Sequence, residues 1–181
     1  PDESFVGVVS FAGNAFIEQE LTKNKNLLEE AINGISLTTY GGTDMYEALL
    51  LSLTILRNEE SKSVIILSDG QITVGSIEGL IDQAREKNVI IHTIAMGTVE
   101  GGVTSYGLST LDEDTLSSLA YNTGGQYFHI ENAEDLGNVF EKIITLKTVL
   151  ASTDLSFYLG IITIVLLFLQ QILIARGRIS F

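Results

Sequence analysis

The spacing of apolar positions changes period several times along the first 150 residues. Residues 5–11, FVGVVSF, are β-rich and mostly apolar, and residues 15–22 give a second extended stretch after the turn signal AGNA, so the opening reads as a hairpin. Residues 24–35 then set Leu27, Leu28, Ala31, Ile32 and Ile35 at helical spacing with acids between them. The same period returns over 44–57 through Met45, Leu49, Leu53 and Leu56. SVIILSDG, residues 63–70, is a short continuous apolar run ended by Asp and Gly, the form of a parallel strand buried on both faces. A helix over 76–87, a strand over 89–96 (VIIHTIAM), a helix over 112–121, a strand over 126–130 (QYFHI) and a helix over 133–147 follow. Alternating buried strands and helices specify an open, doubly wound, mostly parallel α/β sheet with right-handed crossovers.

After residue 150 the pattern loses its polar face. Leu155 to Ala175 is 21 residues without a charge, and a bilayer core of about 30 Å needs roughly 20 helical residues. This segment reads as a transmembrane helix, with Tyr158 suited to one interface and Gln170 and Gln171 near the other. Two regions result: 1–150, an α/β domain, and 151–181, a membrane helix with a short basic tail. Arg176 and Arg178 after the span lean towards a cytoplasmic tail, which would put the acidic domain on the non-cytoplasmic side. The chain opens on Pro1 and enters a strand pattern almost at once, so it reads as the carboxyl-terminal portion of a longer protein.

Charge narrows the function. With 23 Asp and Glu against 10 Lys and Arg the formal net charge is −13, which leaves no basic surface for phosphates and argues against nucleic acid as a partner. There is no Cys, so a metal must be held by oxygen or His. His92 and His129 sit inside apolar strands, where a core or sheet-face role is the simpler expectation.

Two glycine-containing segments interrupt the elements: YGGTD at 40–44, and MGTVEGGVTSYG at 96–107, too glycine-rich to be a packed element. In open α/β sheets ligands gather beyond the carboxyl ends of the strands, where Asp69, the 97–111 loop and the helix start at Thr43 would meet. A carboxylate at a strand end and a hydroxyl at a glycine-rich helix entrance make half of a hard-cation site. Each also has an ordinary explanation. Asp44 with Glu47 three residues on is a capping-box arrangement, and Asp69 before Gly70 suits a turn. YGGTD lacks the lysine of a phosphate loop, and no G-x-G-x-x-G follows a strand.

The ordered set TTYGGTDMYEAL, VIILSDGQ, VIIHTIAMGT and LDEDTLSSLAYNTGGQYFHIENAEDL resembles the von Willebrand factor type A (VWA) domain over residues 4–148. The membrane-anchored arrangement and the long loop after AMGT are similar to the aerotolerance-operon (Bat-type) members. The resemblance implies a Rossmann-like VWA fold and a metal-ion-dependent adhesion site, in which Mg²⁺ or Mn²⁺ bridges the domain to an acidic residue of a protein ligand. By motif it assigns Thr43 and Asp69 as cation ligands, with Gly42, Asp44 and Gly70 beside them for partner recognition. The family's first metal segment, DxSxS, is absent, and so are the first strand that carries it and the following helix. That strand lies between the strands at 5–11 and 63–69, so its absence would unpair both, and this stretch alone is expected to bind Mg²⁺ and fold poorly.

The reading that follows is a membrane-anchored binding module, not an enzyme, which recognises a protein through a divalent cation and helps assemble a membrane-associated complex. The Bat-type likeness further implies work beside a MoxR-type AAA ATPase. A metal-independent structural subunit and a metal-dependent phosphohydrolase with Asp69 as nucleophile are the alternatives.

Overall fold

The computed structural model describes residues 4–36, 41–72, 74–96, 102–104, 107–109, 111–151, 161–167 and 170. It divides into two compact units, Pro1–Ile143 and Ile144–Phe181. The first unit opens with β1 (Val6–Phe11) and β2 (Ala15–Thr22), an antiparallel hairpin whose register closes on Phe11 opposite Ala15. Helices α1 (Lys25–Gly34) and α2 (Met45–Ile55) follow. The chain continues through β3 (Lys62–Ser68), α3 (Ile77–Glu86) and β4 (Val89–Met96). Next come the short strands β5 (Gly102–Thr104) and β6 (Gly107–Ser109), then α4 (Glu113–Asn122), β7 (Tyr127–Ile130) and α5 (Leu136–Ala151).

Strands β3, β4 and β7 form a parallel sheet in that order, with Lys62 opposite Val89 and Thr93 opposite Tyr127. Successive side chains of a strand point to opposite faces, and here both faces are apolar. Val64, Ile66, Ile91, Ala95 and Tyr127 meet α2, α3 and α4 through Met45, Leu80 and Leu116. Ile65, Leu67, Ile94, Phe128 and Ile130 meet α5 through Val139 and Ile143. This is why β3 and β4 read as nearly unbroken apolar runs. Thr93 is the buried polar exception, and its hydroxyl donates to the Leu116 carbonyl at 2.9 Å, which satisfies it and ties β4 to α4.

Among the described residues β1 pairs only with β2, and β3 carries only β4, so the strands form a two-stranded and a three-stranded sheet instead of one. The two edges face one cleft, floored by α2 and lined by Val9, Phe11, Met45, Leu49, Val64 and Ile66. Helix α1 packs on the hairpin but buries none of its residues fully, and Leu27, Ile32 and Ile35 stay exposed.

Two expectations need correcting. The 96–107 stretch is not wholly without regular structure, since β5 lies in it and pairs antiparallel with β6, which begins at its last residue. The last helix of the domain begins later than 133, after a 3₁₀ turn over Ala133–Asp135. In the second unit, residues 161–167 are helical, and Ile161, Ile162, Ile164, Val165, Leu166 and Leu167 are exposed. The rest of the expected span 155–175, save residue 170, and the basic tail lie outside the described residues, among which no helix is long and apolar enough to cross a membrane.

Candidate functional site

The site residues enter from the start of α2 and the end of β3. Gly42 takes a φ of +109°, a left-handed conformation that glycine adopts at least cost, and turns the chain into the helix. Asp44 is the N-cap of α2, its carboxylate accepting from the Glu47 N–H at 2.9 Å. The reciprocal half of a capping box does not form. The Glu47 carboxylate accepts instead from the Ala15 N–H at 2.8 Å, and the Asp44 N–H donates to the Ala12 carbonyl at 2.7 Å. These bonds fasten the α2 entrance, with Thr43 just before it, to the β1–β2 turn.

Asp69 leaves β3 into a tight turn. Its carboxylate accepts from the Gln71 N–H at 3.2 Å, and the Gly70 N–H donates to the Ser68 hydroxyl at 3.1 Å. Gly70 is buried with a φ of +85°. The Asp69 carbonyl accepts from the Asp112 N–H at 2.8 Å, while the Asp112 carboxylate caps α4 through the Thr115 N–H at 3.0 Å and the Thr115 hydroxyl at 2.7 Å. Asp112 is the positioning residue that motif reading passed over. Its signal was the run of acids before an apolar-periodic segment, the ordinary mark of a helix start.

Met45, two residues beyond Thr43, and Ile66, three before Asp69, line the same cleft, which Thr43 and Asp69 themselves do not line. Both are half-buried. A hydroxyl and a carboxylate are hard oxygen donors of the kind Mg²⁺ and Mn²⁺ take, so their chemistry suits such an ion. They supply only part of a ligand set. Among the described residues no three His, Asp or Glu side chains are grouped to hold a metal, and the Asp44 and Asp112 carboxylates already serve as helix caps.

The histidines lie elsewhere. His129 sits 3.5 Å from the Glu113 carboxylate. Tyr127, on the same strand, has a buried hydroxyl with no hydrogen-bond partner by geometry; its pKa is raised, first by burial and then by the Glu113 carboxylate. His92 on β4 accepts from the Gln126 N–H at 3.2 Å through Nδ1, and burial holds its pKa below the ordinary value. The unfolded chain therefore takes up the His92 proton first, near pH 6.5. Stability from this group is present above that pH and is lost as pH falls below it towards the folded-state pKa. The urea midpoint is expected to drop between pH 7.5 and 5.5, and to drop less in His92→Asn, which removes the titration and leaves the carboxylates in place. Equal drops would remove His92 from the account.

A parallel sheet with helices packed on both faces is the doubly wound α/β class. The family model for the von Willebrand factor type A domain matches residues 1–142, and the chain belongs to that family. It is 30% identical over 147 residues to calcium-activated chloride channel regulator 1 of Bos taurus, an alignment covering 77% of this chain and 15% of that protein. It is 26% identical over 167 residues to a UPF0353 protein of Nocardia farcinica (strain IFM 10152), covering 76% of this chain and 49% of that one. The chain thus spans less than half the length of either relative. Among solved structures it resembles the conserved hypothetical protein BatB of Bacteroides thetaiotaomicron, with 21% identity, a TM-score of 0.68 and 78% of each chain covered. An aerotolerance-related membrane protein of Bacteroides fragilis NCTC 9343 is similar at 18% identity and a TM-score of 0.65, covering 78% of this chain and 79% of that one. At these identities the likeness establishes the fold.

Proposed function

We propose that this VWA domain mediates protein–protein recognition through a divalent cation, Mg²⁺ or Mn²⁺, held at the strand-end edge by Thr43 and Asp69. What supports the reading is that Asp69 ends β3 and Thr43 precedes the α2 N-cap, on elements whose residues Ile66 and Met45 line one cleft of a VWA domain. The cation would bridge them to an acidic side chain of a protein ligand, with water and further oxygen donors completing its shell. Gly42 and Gly70 keep the backbone close to the edge without side chains in the way, and Asp44 presents the α2 entrance beside them. The likeness to an aerotolerance-related membrane protein supports membrane association; the uncharged run 155–175 followed by Arg176 and Arg178 supports anchoring there with the acidic domain on the non-cytoplasmic side. A part in assembling a membrane-associated complex, beside a MoxR-type AAA ATPase, belongs to the same proposal and rests on the motif resemblance alone. The commitment of Asp44 and Asp112 to helix caps favours a second reading, a metal-independent assembly subunit.

Calorimetric titration of Mn²⁺ into the detergent-solubilised chain tests the choice. Weak saturable binding is expected, lowered at least about tenfold, or about 1.4 kcal/mol, by Asp69→Asn and also weakened by Thr43→Ala. Circular dichroism on the same samples checks that the variants fold. Folded protein that takes up no Mn²⁺, or uptake untouched by Asp69→Asn, would transfer the function to the metal-independent reading.

A further inference from the structure

We propose that the Asn33–Gly34 peptide at the end of α1 is a site of spontaneous covalent modification, deamidating through a cyclic imide to aspartate and isoaspartate. Sequence and structure single it out together. Asn33 alone among the asparagines precedes a glycine, so only there does the attacking backbone nitrogen have no side chain on the carbon that follows it. Both residues are exposed, and a β-carbon added to Gly34 would meet nothing within 4 Å, which leaves the ring room to close.

The backbone permits the approach. Ring closure turns Asn33 out of helical dihedrals, and inside a helix the i→i−4 ladder resists that turn. Asn33 and Gly34 are the last two residues of α1, where Ile35 as C-cap donates its N–H to the Ile32 carbonyl at 3.2 Å and the last turn holds no basic side chain. Helix ends of this kind fray.

One other peptide in the chain has the same chemistry, Asp69–Gly70, and there the fold opposes it. Gly70 is buried, and its N–H is engaged by the Ser68 hydroxyl at 3.1 Å. The Asp69 carboxylate is turned to the Gln71 N–H at 3.2 Å, and the Asp112 carbonyl fills the space beside Gly70. The fold therefore selects Asn33 and spares Asp69. This selection is independent of cation binding.

At Asn33 the Gly34 nitrogen gives its proton to hydroxide and attacks Cγ. The new N–C bond forms as the Cγ–Nδ2 bond breaks, and the departing nitrogen takes a proton from water and leaves as ammonia. Water then opens the imide. Attack at Cγ breaks the bond just made and gives aspartate; attack at the Asn33 backbone carbonyl carbon breaks the original peptide bond and gives isoaspartate. The product weakens the last turn of α1. Glu29 and Glu30 stand four and three residues before position 33, so a carboxylate there meets like charges on one helix face and lies at the negative end of the helix dipole.

The test incubates the full chain in detergent micelles at mildly alkaline pH in oxygen-18 water, followed by peptide mass spectrometry. A time-dependent gain of about 3 Da is expected on the peptide holding Asn33, from exchange of the amide for a labelled hydroxyl. Gly34→Ala, which suits a helix and whose folding circular dichroism checks, is expected to slow that gain at least about tenfold. Label is expected at Asp69 in the chain unfolded in urea and not in the folded chain. No gain at Asn33, a gain no faster than at the exposed Asn14 and Asn58, or a gain unchanged by Gly34→Ala would overturn the proposal. So would label entering Asp69 as fast in the folded chain as in the unfolded one.

Discussion

Gly125→Ala is expected to destabilise the domain by on the order of 3 kcal/mol, enough to remove much of the stability of a fold this size. A β-carbon there would lie 1.9 Å from the Ile91 carbonyl oxygen, 2.6 Å from its carbon and 3.2 Å from the His92 nitrogen. All three are backbone atoms of β4, a strand held on both sides, so no rotamer change can relieve the overlap. The neighbourhood is also fixed. The Gly125 N–H donates to the Ala120 carbonyl at 2.9 Å, and the Thr123 hydroxyl accepts from the Ile91 N–H at 3.1 Å. Gly124 makes the comparison: its φ is +80°, yet nothing lies within 4 Å of an added β-carbon. Gly124→Ala should therefore cost only the backbone term, about 1–2 kcal/mol. Urea midpoints for the two variants measure the difference. A Gly125→Ala midpoint at or above that of Gly124→Ala would mean that the turn after α4 does not press on β4.

Gly70→Ala is expected to combine a stability loss of about 2–4 kcal/mol with a loss of function. The residue has a φ of +85°, and a β-carbon would meet the Asp112 carbonyl oxygen at 2.3 Å and the Leu116 Cγ at 3.1 Å. Relief requires the start of α4 to move away from the end of β3, which breaks the bond between the Asp112 N–H and the Asp69 carbonyl. Asp69 would then lose the contact that sets its position. Urea midpoints and Mn²⁺ titration on the same preparation report the two consequences together. A destabilised variant that binds Mn²⁺ as tightly as the parent would show that Asp69 is oriented without Asp112.

Most of the sheet was legible because its strands are buried on both faces. SVIILSDG and VIIHTIAM could be nothing but interior strands once helical patterns flanked them. The start of α2 was legible as a cap, but not in its full geometry: Asp44 and Glu47 have the right spacing for a reciprocal pair, while the fold sends Glu47 to Ala15 on the hairpin. A contact between residues 32 apart leaves no local trace. The role of Asp112 was hidden for the same reason, since its bond to Asp69 depends on β3 and α4 ending side by side. The pairing of β5 with β6 was missed because a glycine-rich stretch suppresses the propensity signal while permitting a narrow hairpin. Thr43 and Asp69 were assigned by resemblance; their spacing alone fits a cap and a turn equally well.

The single helix beneath the divided sheet has a consequence for how the domain comes apart. A continuous sheet couples its strands through a ladder, so that opening one strand costs the hydrogen bonds of the next. Among the described residues the ladder is interrupted between β1 and β3, and α2 packs on the hairpin. The hairpin with α1, which buries no residue of its own fully, therefore forms a cooperative unit of lower stability than β3, β4 and β7 between their helices. The domain is expected to open as two foldons sharing one helix, the weaker of them carrying the turn to which the α2 entrance is fastened.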